Sequence, residues 1–191
     1  FAVGAESKGQ KAHEKRANLR IKDDPRILVV ANDLIEKLDK EPNAFRDKKV
    51  FDRDRDPEKA TALKVVTPAR TLEIAKGDKL WSLKAPVADV ADASKVSGLL
   101  SKARNLDVEK FITEDAAKAA EYGLDKPQLT CEVKADDGST MKVLIGKDAT
   151  EKDQLYAKRG EEPAIFTVKK DFLTDMDVKL DDVRELVAAR A

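Results

Sequence analysis

An alternating run of aspartate and arginine, Asp52–Asp56, is the part of the sequence that most resembles a metal site. Alternating carboxylates can supply the oxygen ligands that Ca²⁺ prefers. A calcium loop of the EF-hand type also needs Gly at its sixth position and Glu at its twelfth, where this sequence has Pro57 and Leu63. The interleaved arginines would also repel a cation. We therefore expect a solvated loop whose charges pair with one another, and no metal site.

The one histidine and the one cysteine are too few to form a ligand set or a nucleophile–base pair. His13 falls in a polar stretch that we interpret as a loop. Cys131 alternates with polar residues on a predicted strand and points inward, whereas a reactive thiolate needs an open, electropositive setting. The scattered glycines form no phosphate-binding loop. We expect no catalytic residue, no metal ligand and no cofactor, and keep a hydrolase with an unrecognised site as an alternative.

The overall charge and composition exclude several classes of protein. The chain has 37 basic and 37 acidic residues, so its formal net charge is zero, and 39% of its residues are charged. This balance argues against a nucleic-acid-binding protein, which would show a basic face. No run approaches the roughly 18 apolar residues that a membrane-spanning helix requires. A lone cysteine also rules out an internal disulfide.

Alternating apolar residues predict that most of the chain folds into strands. Strands cluster and the turns between them are short, which predicts an α+β fold of antiparallel sheet meanders with a few short helices. A two-residue turn at Gly77-Asp78 would place Ile74 opposite Trp81 on one apolar face. Trp81 is therefore expected in the core, with a ligand-binding platform as the alternative.

The best-specified local element is a hairpin closed by Asp136–Gly138. A two-residue turn would place Val133 opposite the polar Lys142. A three-residue loop with Gly138 at the bulge position instead pairs Val133 with Met141, so that the apolar faces coincide.

Helices are predicted at four places, and glycine or proline ends one of them. Asp92 can cap a helix that extends to Asn105. A second helix, Glu114–Tyr122, is followed by Gly123, whose left-handed conformation is a typical C-cap, and Pro127 prevents its continuation. Shorter helices are expected at Asp33–Asp39, where Asn32 is the cap and Leu34, Ile35 and Leu38 point inward, and at Asp182–Ala189, where Val183, Leu186 and Val187 point inward.

Two parts of the sequence resemble each other at a fixed offset. Ile27–Val30 recurs as Ile165–Val168, and Arg46 recurs as Arg184, each 138 residues later. Such self-similarity predicts a tandem repeat of about 138 residues. We therefore expect residues 1–50 to be the C-terminal part of a preceding unit and residues 51–191 to be one complete unit, cut from a longer protein.

This organisation has two structural consequences. Arg46 and Arg184 occupy equivalent places, which indicates a structural pairing with nearby acids in each unit. The apolar strands Phe1–Ala5 and Ile27–Ala31 would need a cover, supplied by the complete unit or by another chain.

The order of several short motifs resembles a bacterial family known as domain of unknown function 4340. The motifs are Leu80-Trp81-x-Leu83-x-x-Pro86, Ala88-Asp89, Tyr122-Gly123-Leu124-Asp125-x-Pro127, Ile145-Gly146, Leu155-Tyr156-Ala157 and Ile165-x-x-Val168. The resemblance implies an extracytoplasmic protein of the cell envelope, held by a membrane anchor outside this sequence and encoded beside gliding-motility-type ABC transporter components. It implies no catalytic residues.

We therefore expect a non-catalytic module that contacts a protein partner or neighbouring repeat units, as an accessory to a transport or motility assembly. Repeated units generate extended surfaces suited to such contacts. A module that binds a glycan or peptide near Trp81 is the alternative from a different class.

Overall fold

The computed structural model describes residues 2–6, 16–31, 33, 36–37, 39–51, 59–78 and 80–185. The chain divides into two compact units, Phe1–Asp47 and Lys48–Ala191. This boundary lies just before the one expected from the sequence, because Val50 and Phe51 are buried in the core of the second unit. Antiparallel sheet dominates and the helices are short, so the predicted α+β class is confirmed.

The first unit contains a three-stranded antiparallel sheet in its described residues, in the order β1-β2-β3. Its strands are β1 (Ala2–Glu6), β2 (Arg16–Arg20) and β3 (Ile27–Ala31), and a 3-10 helix follows at Pro42–Phe45. Asp33, Glu36 and Lys37 are helical, within the predicted helix. The proposed cap Asn32 and the predicted inward residues Leu34, Ile35 and Leu38 lie outside the described residues.

The second unit is built on one large antiparallel sheet, which has nine strands among the described residues. Their order across the sheet is β7-β6-β5-β4-β9-β10-β11-β12-β8. The strands are β4 (Ala60–Val66), β5 (Thr71–Lys76), β6 (Trp81–Ala85), β7 (Asp89–Val90), β8 (Lys110–Thr113), β9 (Leu129–Ala135), β10 (Thr140–Asp148), β11 (Gln154–Arg159) and β12 (Ile165–Lys169). The chain must therefore cross from β8, at one edge, to β9 in the middle.

The main helix of the second unit, α1 (Ala93–Arg104), forms as its sequence predicts. The Asp92 carboxylate caps its first turn by accepting hydrogen bonds from two backbone N–H groups. Its buried residues recur at helical spacing and join the core of the sheet. They are Val96, Leu99, Leu100 and Ala103.

The closing helix differs from its prediction. It spans only Leu180–Val183 (α3), after a short α2 at Asp171–Met176. Arg184 is extended because this segment pairs with the end of β7: the Asp92 N–H donates to the Val183 carbonyl, and Arg184 bridges to Ala91. Leu186 and Val187, which were expected to point inward, lie outside the described residues.

One hairpin register is wrong in the prediction and another is confirmed. β5 and β6 pair Ile74 with Leu83, because the loop between them has four residues and is closed by a hydrogen bond from Gly77 to Leu80. The apolar face survives because the shift is by two residues. The Asp136–Gly138 hairpin has the predicted three-residue loop and the predicted pairing of strands β9 and β10.

The connection from β8 to β9, residues 114–128 and here called the crossover, contains a 3-10 helix at Ala116–Tyr122. It begins two residues later than predicted, with Asp115 as its cap. Gly123 ends it in the left-handed conformation, with φ of 72°. A Cβ at Gly123 would also lie 3.1 Å from the Lys147 nitrogen, so this position is restricted both by backbone conformation and by space.

Gly123→Ala is expected to destabilise the second unit by about 2 kcal/mol, since a Cβ is unfavourable at positive φ and crowds β10. Gly138→Ala is the matched control, because Gly138 has φ of 82° but a Cβ there would meet nothing within 4 Å. Its cost should be about 1 kcal/mol, from conformation only. Urea denaturation followed by Trp81 fluorescence measures both, and equal losses would show that the contact with Lys147 is unimportant.

The strand pairings of the first sheet recur in the large sheet with every residue number raised by 138. Ala17 pairs with Val30, and Leu155 pairs with Val168. The remaining pairs of β2 with β3 match those of β11 with β12 in the same way. The irregularity in β1, between Val3 and Glu6, also has a counterpart in β10. The two sets of three strands therefore share one pairing pattern.

Candidate functional site

Cys131 lies in the interior of the second unit, on β9. It is fully buried, and this burial raises the pKa of its thiol to about 12, with a smaller contribution from the charge of Glu132. The thiol is therefore neutral and shielded at physiological pH, which is the opposite of what a nucleophile requires.

Metal-ligating residues do not cluster in the part of the chain that the structure describes. Within it, no three His, Cys, Asp or Glu residues come close enough to hold an ion. His13 and the Asp52–Asp56 run lie outside the described residues, so the sequence argument about them stays a prediction.

A groove of about 350 Å³ runs between the C-terminal part of α1 and α2. Charged side chains of both signs line it, and they pair with one another. Lys102 donates to Asp175 at 2.8 Å, and Asp107, also on its wall, binds Lys49 at 2.7 Å. The groove is therefore a solvated surface of mixed charge, which gives no preference for a ligand of either sign.

Trp81 is half-buried and packs against the core of the second unit. It pairs across the sheet with Lys76, whose ammonium lies 5.9 Å from the ring centroid. This cation–π contact occupies one face of the ring. Trp81 is thus engaged within its own unit, and the geometry does not favour a stacking platform for a glycan.

Arg184 contacts acidic residues, whereas the printed contact of Arg46 is to an amide. The Arg184 guanidinium donates to Asp89 at 2.8 Å and to Asp181 at 3.5 Å. Arg46 donates to the side-chain oxygen of Asn43, which holds the place of Asp181 in the shared numbering. The contact three residues back therefore recurs, and the pair with Asp89 fastens the C-terminal segment to β7.

Asp89→Asn is expected to lower the melting temperature near pH 7. Arg184 holds the pKa of Asp89 below its ordinary value of 3.8, so the pair stabilises the fold above about pH 4. That contribution is lost as the pH falls through the lower pKa of the folded chain, and the gap between the two proteins should shrink there. Asp181→Asn is the control, because Asp181 is largely exposed and should contribute little. A gap that stays constant down to pH 2.5 would contradict the expectation.

Strand β3 carries an exposed apolar surface formed by Ile27, Leu28 and Val29, here called the β3 strip. These side chains are 68%, 36% and 58% exposed. Their counterparts in the large sheet, Ile165–Thr167, are all 0% exposed. Identical strand pairing thus coexists with opposite burial.

The second unit shows what buries the counterparts of the strip. β8 pairs with the outer edge of β12, with Phe111 opposite Phe166. The crossover then passes over one face of the sheet, where the ring of Tyr122 lies 4.6 Å from that of Tyr156, centroid to centroid. Because Tyr156 is the cross-strand neighbour of Thr167, this is the face that corresponds to Ile27 and Val29.

Gly146, on β10, allows the crossover to approach the sheet closely. A Cβ at Gly146 would overlap the backbone carbonyl of Tyr122 and would crowd Leu124. The sequence analysis recognised Gly146 only as part of a motif. The available signal was a glycine inside a strand, which often marks the close approach of another backbone.

None of the helices that the structure describes has the length and apolar character needed to cross a bilayer. No curated protein and no solved structure matches the chain. A family model described as a domain of unknown function, DUF4340, matches residues 7–90 and 81–186. The two matches overlap and do not follow the boundary between the compact units.

Proposed function

The chain belongs to the DUF4340 family, and from that premise we propose that it is a non-catalytic repeat module of a cell-envelope protein that binds other protein segments. The observation that carries this proposal is the β3 strip, an apolar surface on a strand whose counterpart is completely buried. Exposed apolar residues on an edge strand are typical of surfaces that pair with protein.

The shared pairing pattern supports the tandem repeat of about 138 residues. Strand pairs, a strand irregularity and a turn hydrogen bond all recur: Asp24 donates to the Ile21 carbonyl, and Glu162 donates to that of Arg159. Chance similarity of sequence would not preserve all three. On this basis residues 1–47 correspond to the closing strands of the second unit.

The chemistry of the described surface also favours a binding role over catalysis. The cysteine is buried and neutral, and the charged residues of the groove pair with one another. The extracytoplasmic location and the association with a gliding-motility-type ABC transporter rest on the family resemblance. Repeated units in such a protein would act as an extended contact surface.

The proposal can be tested by site-specific photo-crosslinking in the source cell. A photoreactive amino acid is placed at position 29 in the full-length protein, and at position 87 as a control, since Val87 is also exposed and apolar. We expect protein adducts, identified by mass spectrometry, at position 29 in clear excess over position 87. Equal or absent adducts at position 29 would contradict a binding role for this strip.

A further inference from the structure

Building on the proposed function, we infer that the β3 strip is the docking site for a strand-and-crossover segment with the chemistry of Lys110–Leu124. The segment is supplied by a neighbouring unit of the same polypeptide. It adds a strand beside β3 and lays a short helix across Ile27 and Val29.

The first argument is the edge of the sheet. β8 pairs with β12 through Thr113, Phe111 and Lys110, opposite Ile165, Phe166 and Thr167. In the shared numbering, Ile27–Val29 occupies these same three places. In the part of the chain that the structure describes, β3 pairs with β2 on one side, and its other edge is at the margin of the sheet. A strand of the β8 type fits that edge with the same register.

The second argument is Gly4, which lies in β1 at the place that Gly146 occupies in β10. Val3 pairs with Leu19, and Ile145 pairs with Ala157, so the following glycines are equivalent. Gly146 is needed because the Tyr122 carbonyl lies against it. Glycine otherwise weakens a strand, so its presence in β1 indicates that a backbone approaches there as well.

The third argument is apolar area. Ile27 and Val29 are mostly exposed, although their counterparts are fully buried by β8 and the crossover. Covering two such side chains contributes favourable free energy in proportion to the area removed from water. The strip carries no charge, so a segment with apolar Phe111- and Ile112-like residues is the matching partner.

The source of the segment follows from the second unit. There Lys110–Leu124 precedes β12 in the same chain, and the unit is thereby closed by its own sequence. A repeat protein buries each unit in this way by local connection, at a lower entropic cost than recruitment of a separate molecule.

A peptide titration of the full 191-residue chain tests the inference. A fluorescein-labelled peptide of residues 106–124 is followed by anisotropy, with a scrambled peptide as control. We expect saturable binding that Val29→Lys weakens at least about tenfold, by roughly 1.4 kcal/mol, while Val87→Lys leaves it unchanged. Binding that is insensitive to Val29→Lys, or no binding, would overturn the inference.

Self-association is the competing outcome, and analytical ultracentrifugation of the chain without peptide detects it. A dimer that Val29→Lys dissociates would assign the strip to a second copy and overturn the inference. The two proposals fail separately. Adducts at position 29 in cells without peptide binding would retain the binding role and reject this occupant, whereas the absence of both would reject both.

Discussion

Replacing Gly146 by alanine is expected to lower the free energy of unfolding of the second unit by about 3 kcal/mol. The new Cβ would overlap the backbone carbonyl of Tyr122, and backbone cannot move aside as a flexible side chain can. Relief requires the crossover to lift from the sheet, which separates the rings of Tyr122 and Tyr156. Urea denaturation followed by Trp81 fluorescence measures the loss.

Gly98→Ala is the matched control for this substitution. Gly98 lies inside α1, is exposed, and a Cβ there would meet nothing within 4 Å. Alanine is the better helix former, so this variant should gain about 0.5–1 kcal/mol. A loss below 1 kcal/mol in Gly146→Ala would show that the crossover is not held against β10.

Phe166→Ala is expected to cost the second unit about 4 kcal/mol, because Phe166 is fully buried and its removal leaves a cavity. Its ring packs edge-on against Phe111 of β8, with centroids 6.2 Å apart, so the contact between β12 and β8 also weakens. The same denaturation experiment reports the change through Trp81.

The counterpart of Phe166 in the first sheet is Leu28, and the comparison between them is informative. Leu28 is on the border of exposure, so Leu28→Ala should change stability by about 1 kcal/mol or less and leave the Trp81 transition unchanged. A large loss from Leu28→Ala would mean that the β3 strip is already covered, contrary to the proposed function.

Local features of the fold were predictable from the sequence because neighbouring residues determine them. The loop Asp136–Gly138 and the buried face of α1 follow from spacing and from the preferences of Gly and Asp. The register of β5 and β6 did not follow, since two registers that differ by two residues bury the same face. The four-residue loop that decides between them left Leu80 exposed, which a hydrophobic pattern does not predict.

Features that depend on distant residues were predicted poorly. The helix expected at Asp182–Ala189 has suitable local spacing, but Arg184 pairs instead with a residue far away in sequence, Ala91. For the candidate site, the sequence showed that Ile27–Ala31 needed a cover. It could not show which segment covers the equivalent strand, because that segment is recognised only through the position of β8 and the crossover in three dimensions.

The most direct test of the central claim, that two like sheets differ in being covered, is amide hydrogen exchange of the 191-residue chain. Protection reports the local free energy of opening, and strands β2–β3 and β11–β12 share the same internal pairing. We predict that amides of β3 exchange at least about 100-fold faster than the equivalent amides of β12, since burial distinguishes them. Equal protection in the two strands would contradict the claim.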